Sequence, residues 1–228
     1  MFNFLKPKPA PQRLEIRDTL FGDIPLARFL LVSPDVLAAE PWASFEQSRR
    51  LIDAGDRQGA AEPLRRVLEI PNLESRMYLQ AWHFLREIEV SPPPDHQELL
   101  LGVVVEVGMA KGLDLVAAYA DHSARYYNFS GAGVVWEHPN NSLDAAIDEL
   151  LRIGSSVMES IGPWEGGRPA APTSGNARVS LLTPSGLHFG QGPLNVLSKD
   201  RLGGPVMASA FQLMQALIQL AKMRQSPG

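Results

Sequence analysis

The sequence predicts an α+β protein: an N-terminal helical segment followed by an antiparallel-sheet domain, a four-strand meander, a helix, two strands and a helix. Three observations predict it. Residues 41–90 repeat apolar side chains at helical spacing between Gly and Pro breaks. Composition changes near residue 96, with 12 Lys or Arg, 14 Asp or Glu and 3 Gly up to His96, against 9, 11 and 16 beyond it. After the change, short Val- and Leu-rich runs alternate with turns of two to four residues, the mark of a meander.

The elements follow in order. Residues 1–40 form an arm in which Leu14, Ile16 and Leu20 suit a short strand or irregular chain. Pro41 to Ala54 predicts a helix with Trp42, Phe45, Leu51 and Ile52 on one side, ended by Gly55–Asp56. Gln58 to Ile70 predicts a second, with Ala60, Ala61, Leu64, Val67 and Leu68 buried and Pro63 near its start, where a missing amide costs little. Leu73 to Ile88 predicts a third. The run SPPPDH at Ser91–His96 cannot continue a helix, so residues 91–97 read as a linker. Leu99–Met109, Leu113–Ala120, Arg125–Phe129 and Val134–Glu137 predict the meander. Ser142–Ile161 predicts a helix capped by Asn141 or Ser142. Gly162–Gly175 reads as a loop, Arg178–Thr183 and Leu187–Gln191 as a hairpin, and residues from Leu202 as the last helix.

The hairpin from Trp42 to Pro71, with Gly55, Ala60, Leu64, Val67 and Pro71 in suitable places, resembles one unit of a tetratricopeptide repeat. The aromatic and the Leu-Gly pair expected on the first helix are displaced or absent, and no clear second unit follows. Stacked repeats need about three units, so an ordinary helical hairpin is the competing reading. The strings LGVVVEVG to YYNFSG are similar to uncharacterised bacterial proteins, a resemblance that implies no activity.

Composition restricts the function classes. Of 228 residues, 45% are hydrophobic and 20% charged, values of a folded chain and not a disordered one. A net charge of −4 argues against general attraction to nucleic acid. The absence of Cys fits a reducing compartment, and a cytoplasmic location is expected. The opening MFNFLKPKPAPQR places its apolar residues before its basic ones, the reverse of a secretory signal. From Leu202 to Ala221 no residue is charged, but Gln212, Gln215 and Gln219, with Ser209 a turn earlier, form a polar stripe. A soluble helix is expected there, not a membrane span.

Motifs for chemistry are sparse. None of the five histidines pairs with another at helical spacing, so a metal site would need separate strands to converge, for example Asp121–His122 with Glu137–His138. The default expectation is solvated turn residues, with no metal and no cofactor. Gly-x-Ser-x-Gly is absent. Gly131–Ala132–Gly133 and Gly190–Gln191–Gly192 open no helix of a βαβ unit. Arg49–Arg50 and Arg65–Arg66 lie on acid-balanced helices.

Three features stand out. The loop Pro163–Pro169 sets Trp164, Glu165 and Arg168 among glycines and prolines. Arg125, Tyr127 and Phe129 alternate with Tyr126 and Asn128, and Trp136 follows on the next strand, so one sheet face is a candidate aromatic platform, with core packing the competing explanation. Glu106 interrupts the valine run; an edge or solvent-facing position is the simpler expectation, and a buried one would need Arg125 or Arg178 as partner.

The expected function is a non-catalytic protein-binding or scaffolding module. It would engage a protein partner, or a second copy, through the helical hairpin or through Gln212, Gln215 and Gln219. The alternative is a small-ligand sensor or unfamiliar enzyme with Arg125, Trp164, Glu165, Arg168 and His188 around one site.

Overall fold

The computed structural model describes residues 16–225. Leu14 and the opening stretch lie outside them. Two short helices, α1 (Leu26–Phe29) and α2 (Pro34–Leu37), precede the three predicted ones, α3 (Trp42–Asp53), α4 (Arg57–Glu69) and α5 (Ser75–Glu87). A 3-10 turn at Pro94–His96 leads into β1 (Gly102–Met109), β2 (Gly112–Tyr119), β3 (Ala124–Tyr127) and β4 (Gly133–Trp136). Helix α6 (Asp144–Met158), strands β5 (Asn176–Thr183) and β6 (Gly186–Pro193), a short α7 (Leu194–Leu197) and the long α8 (Gly203–Gln225) complete the order. The six strands form one sheet, β4-β3-β2-β1-β5-β6, with every neighbouring pair antiparallel.

The period of two along the strands divides the sheet between two cores. On one face Val103, Val105, Val116, Ala118, Val179 and Leu181 pack under α6 and α8, which contribute Ile147, Leu150, Val206, Leu213 and Leu217. On the other face Val104, Leu115, Ala117, Tyr119 and Leu182 meet Leu20 and Phe21 of the arm and Leu79 of α5. The central strand β1 is thus covered on both sides, which is why it reads as a valine run, broken only by Glu106, and not as an alternation.

A third core lies within the helical segment, where Phe45, Leu64, Val67, Phe84 and Leu85 are buried together. Helix α5 therefore has two apolar sides: Phe84 and Leu85 face α3 and α4, and Leu79 faces the sheet. The arm is held against α5 by Gln80, whose Nε2 donates to Ile24 O (2.8 Å) while its Oε1 accepts from Ile24 N (3.1 Å). Gly22 allows that approach, since its φ is +61° and a Cβ there would stand 2.6 Å from Leu79 Cβ.

Several local expectations are corrected. Pro63 is not at a helix start: α4 begins at Arg57, capped by Asp56, whose Oδ1 accepts from Gly59 N (2.7 Å), so Pro63 is interior and buried. Neither Asn141 nor Ser142 caps α6; Leu143 occupies the cap, while Asn140 Oδ1 bonds Ser142 N (2.9 Å) in the preceding turn. Ser209 belongs to the buried side of α8, not to the glutamine stripe. The aromatics do not share a face: Trp136 pairs with Ala124 and Tyr126 with Val134, both toward α6 and α8, whereas Tyr127 packs toward the arm.

Glu106 is neither at an edge nor in solvent. It is fully buried on the central strand, facing the arm. Arg17 Nε donates to its Oε1 (2.5 Å) and Arg178 Nη1 to its Oε2 (3.3 Å); Arg125 takes no part. Both guanidinium groups also donate to Pro169 O, at 2.9 and 3.2 Å, and Arg178 Nη2 donates to Ala170 O (2.7 Å). One buried carboxylate thereby tethers the arm, the central strand, β5 and the 162–175 loop. At the strand's end a Cβ on Gly108 would lie 2.1 Å from Thr173 O, so only glycine lets the loop pass.

Candidate functional site

The tethered loop forms one wall of a cleft of about 680 Å³. The arm and α5 form the facing wall, and the β5–β6 turn closes one end. Trp164, Glu165 and Arg168, the loop residues singled out from the sequence, all line it. Arg168 crosses to the arm: Nε donates to Asp23 Oδ2 (2.7 Å), Nη2 to Asp18 Oδ1 (2.8 Å), and its guanidinium lies 4.4 Å from the centre of the Phe21 ring. Burial works against the charge of Arg168, but the two carboxylates outweigh it and raise its pKa.

Trp164 is half exposed and held at its base. Its backbone amide donates to Leu187 O (2.7 Å), its indole Nε1 to Gly167 O (3.0 Å), and its ring meets Phe189 edge-on at 5.2 Å. Across the cleft stand Arg28, His83, Arg86 and Glu87. Burial lowers the pKa of Arg86, against the pull of Asp23 and Glu87, and its Nη1 donates to Pro184 O. Burial likewise depresses His83, whose Nε2 is 3.5 Å from Glu87 Oε1. Arg28 and Arg168 are already paired with Asp18 and Asp23, so Arg86 is the guanidinium in the same cleft as the indole that suits a small molecule with a carboxylate or another planar anion. The hydroxyls of Thr183 and Ser185 bond each other (2.9 Å), and Ser185 also donates to Gln97 O (2.6 Å), so neither is aligned by a base as a nucleophile.

The two other residues expected at this site are placed elsewhere. Arg125 is buried on β3, with Nη2 2.8 Å from Glu137 Oε1. His188 is buried on the opposite sheet face, since it pairs with Leu181, and its Nδ1 is 3.2 Å from Ile161 O. Conversely Asp18, Asp23, Arg28, His83 and Arg86 join the cleft without any motif to announce them. The arm lacks a periodic pattern, and the charges of α5 form no motif.

Two surfaces bear on partner binding. Gln212, Gln215 and Gln219 are exposed on the outward side of α8, with Phe211 also exposed. The neighbouring α6 carries Asp148, Glu149 and Arg152 in the same outward position, whereas α8 has no charged residue from Gly203 to Ala221. On the helical segment, an apolar groove of about 760 Å³ runs between α4, α5 and the proline-rich connection. Leu68, Tyr78, Trp82, Val90 and Leu99 line it together with Arg65, Glu69 and His96.

Among the described residues no helix is long and apolar enough to cross a membrane. Compared with protein-family models, with curated proteins and with solved structures, the chain matches none.

Proposed function

We propose that the protein is a non-catalytic binding module that engages a protein partner through the helical segment. The observation that carries this reading is the groove beside α4 and α5. Its lining holds Trp82 and Tyr78 with the aliphatic Leu68, Val90 and Leu99, and Arg65, Glu69 and His96 supply polar groups. Aromatic anchors in an apolar centre with charged groups around it are the anatomy of an interface hot spot. Leu99 in the same groove is 52% exposed and so within a partner's reach. The uncharged outward side of α8 supplies a second surface for a partner or another copy.

The test is site-specific photo-crosslinking in the native cell. A crosslinker at Glu69 is expected to capture one discrete protein, a crosslinker at Arg152 on the outer side of α6 none, and Leu99→Asp to abolish the capture. Identical patterns from positions 69 and 152, or no capture at all, would remove this reading.

A second reading rests on the Trp164–Arg168 cleft: a sensor of a small carboxylate-bearing ligand. The observation favouring it is that loop, arm and α5 converge on one polar concavity with a half-exposed indole. It predicts that such a metabolite raises the melting temperature of the wild type and not that of Trp164→Ala.

A further inference from the structure

We propose that His122, His138 and Asp144, completed by Asp148, bind a divalent transition-metal ion of the zinc type. The residues converge from separate elements. His122 lies in the β2–β3 turn and His138 follows β4; Trp136, which ends β4, pairs with Ala124, which begins β3, so both histidines sit at the same end of the sheet. Their ring centroids are 5.1 Å apart. Asp144 opens α6 at that end, and Asp148 follows one helical turn later.

One ligand atom from each of His122, His138 and Asp144 falls within 4.8 Å of the others. His138 Nε2 is 3.0 Å from Asp144 Oδ1, and His122 Nε2 is 2.8 Å from Asp148 Oδ1. The second pair is hydrogen bonded, and both spacings need only open slightly to reach the edge of a tetrahedral zinc site, roughly 3.3 Å for ligand bonds of about 2.0–2.1 Å.

The Asp144 carboxylate carries the argument furthest. Its Oδ1 is shielded from solvent and has no hydrogen-bond partner, although His138 Nε2 is only 3.0 Å away. Nitrogen and oxygen stand at ion-pair distance without hydrogen-bond geometry, so the shielded carboxylate oxygen is left incompletely satisfied. With each offering its lone pair to one cation, both are satisfied.

Residue type and charge point the same way. Two imidazoles and two carboxylates suit zinc and its neighbours; calcium and magnesium want oxygen alone, and a soft ion such as Cu(I) wants sulfur. Two carboxylates with two neutral imidazoles balance a double positive charge. Both histidines also hold left-handed backbone, φ +58° and +49°, where Gly or Asn is the cheaper residue. Neither Asp121 nor Glu137 competes: Asp121 bonds Ser75 N (2.8 Å) and Ser123 N (2.9 Å), and Glu137 pairs with Arg125. The histidine side chains are 32% and 39% exposed, which leaves an ion a way in. Once bound, the ion ties the turns of β2–β4 to the first two turns of α6.

The test uses the full chain, freed of affinity tags and stripped with a chelator, then titrated with Zn²⁺ and with Co²⁺ near neutral pH. One equivalent is expected to bind, to raise the melting temperature and, for Co²⁺, to give the visible absorption of a tetrahedral site. His138→Asn and Asp144→Asn are expected to weaken binding by at least the roughly 10–100-fold that loss of a mere outer-shell partner costs. Asn is chosen because it tolerates left-handed backbone. His96→Asn, at an exposed histidine in the proline-rich connection, is expected to bind as the wild type does. Asp148→Asn, whose side chain is 62% exposed, keeps the test decisive should the other two substitutions not fold. No binding by the wild type, or binding of equal strength in His138→Asn and Asp148→Asn, overturns the proposal.

Discussion

Arg17 and Glu106, 89 residues apart in the chain, form a buried ion pair in which the arm guanidinium reaches the carboxylate of the central strand. Arg178 approaches the same carboxylate from β5, and the two guanidinium groups share Pro169 O. The cleft wall is therefore built on one charge. Removing it leaves two buried cations facing each other. Glu106→Ala is expected to cost about 3–5 kcal/mol, the range for one lost partner of a buried pair, in urea unfolding followed by circular dichroism. A cost below about 1 kcal/mol would mean that water or the loop carbonyls compensate the cations.

Tyr119 supplies a smaller joint between the same layers. Its hydroxyl donates to Leu20 O (2.7 Å), and burial pushes its pKa upward. Tyr119→Phe keeps the ring and orphans the carbonyl, so a loss of about 1–3 kcal/mol is expected. The change should appear as a lower urea midpoint with an unaltered slope.

Arg168 and Trp164 separate structure from recognition. Arg168→Ala leaves Asp18 and Asp23 without their shared partner and is expected to cost about 1–3 kcal/mol. Trp164→Ala forfeits an edge-on aromatic contact worth about 0.5–1.5 kcal/mol and otherwise leaves the fold in place. Thermal shifts across a panel of small carboxylic acids are expected to stabilise the wild type and neither variant. Equal shifts in all three proteins would exclude the cleft as the binding place.

His83 governs an acid limb of stability. Burial holds its imidazole below the ordinary value, with Glu87 and Asp23 partly opposing and Arg86 reinforcing the effect. The unfolded chain thus takes up the proton more readily than the folded one. This penalty is absent above the unfolded pKa of about 6.5 and grows as pH falls toward the folded value. His83→Gln is expected to lose less stability than the wild type between about pH 7.5 and about pH 5. Parallel losses in the two proteins would count against a buried neutral imidazole.

The outward side of α8 makes a further test of association. Phe211→Glu with Gln215→Glu places two charges on a surface that has none between Arg201 and Lys222, and both positions are exposed. Stability is expected to stay within about 0.5 kcal/mol. Any self-association seen by light scattering for the wild type is expected to weaken. An unchanged mass distribution would confine partner binding to the groove on the helical segment.

Local periodicity and punctuation determined the elements. The helices of residues 42–87 follow from apolar spacing between Gly55 and Pro71, the strands from β-branched runs between turns, and the α+β order from their succession. The loop carrying Trp164, Glu165 and Arg168 was legible because Gly and Pro forbid regular structure there, and the glutamine side of α8 because helical geometry places residues three and four apart together. Tertiary packing decided the rest. Glu106 reads as an edge residue until two strands flank it, because charge gives no hint of which distant arginine will meet it. His188 falls away from the cleft because strand register assigns side chains alternately to two faces; Arg125, which pairs with Ala117 on the cleft's own face, falls away because β3 lies across the sheet from β5 and β6. His122, His138, Asp144 and Asp148 show no ligand spacing in sequence; they meet only because the β2–β3 turn, the end of β4 and the start of α6 share one end of the sheet. Contacts within a turn of helix or a pair of strand residues are encoded locally, whereas sites assembled across 20 to 150 residues exist only once the chain has closed.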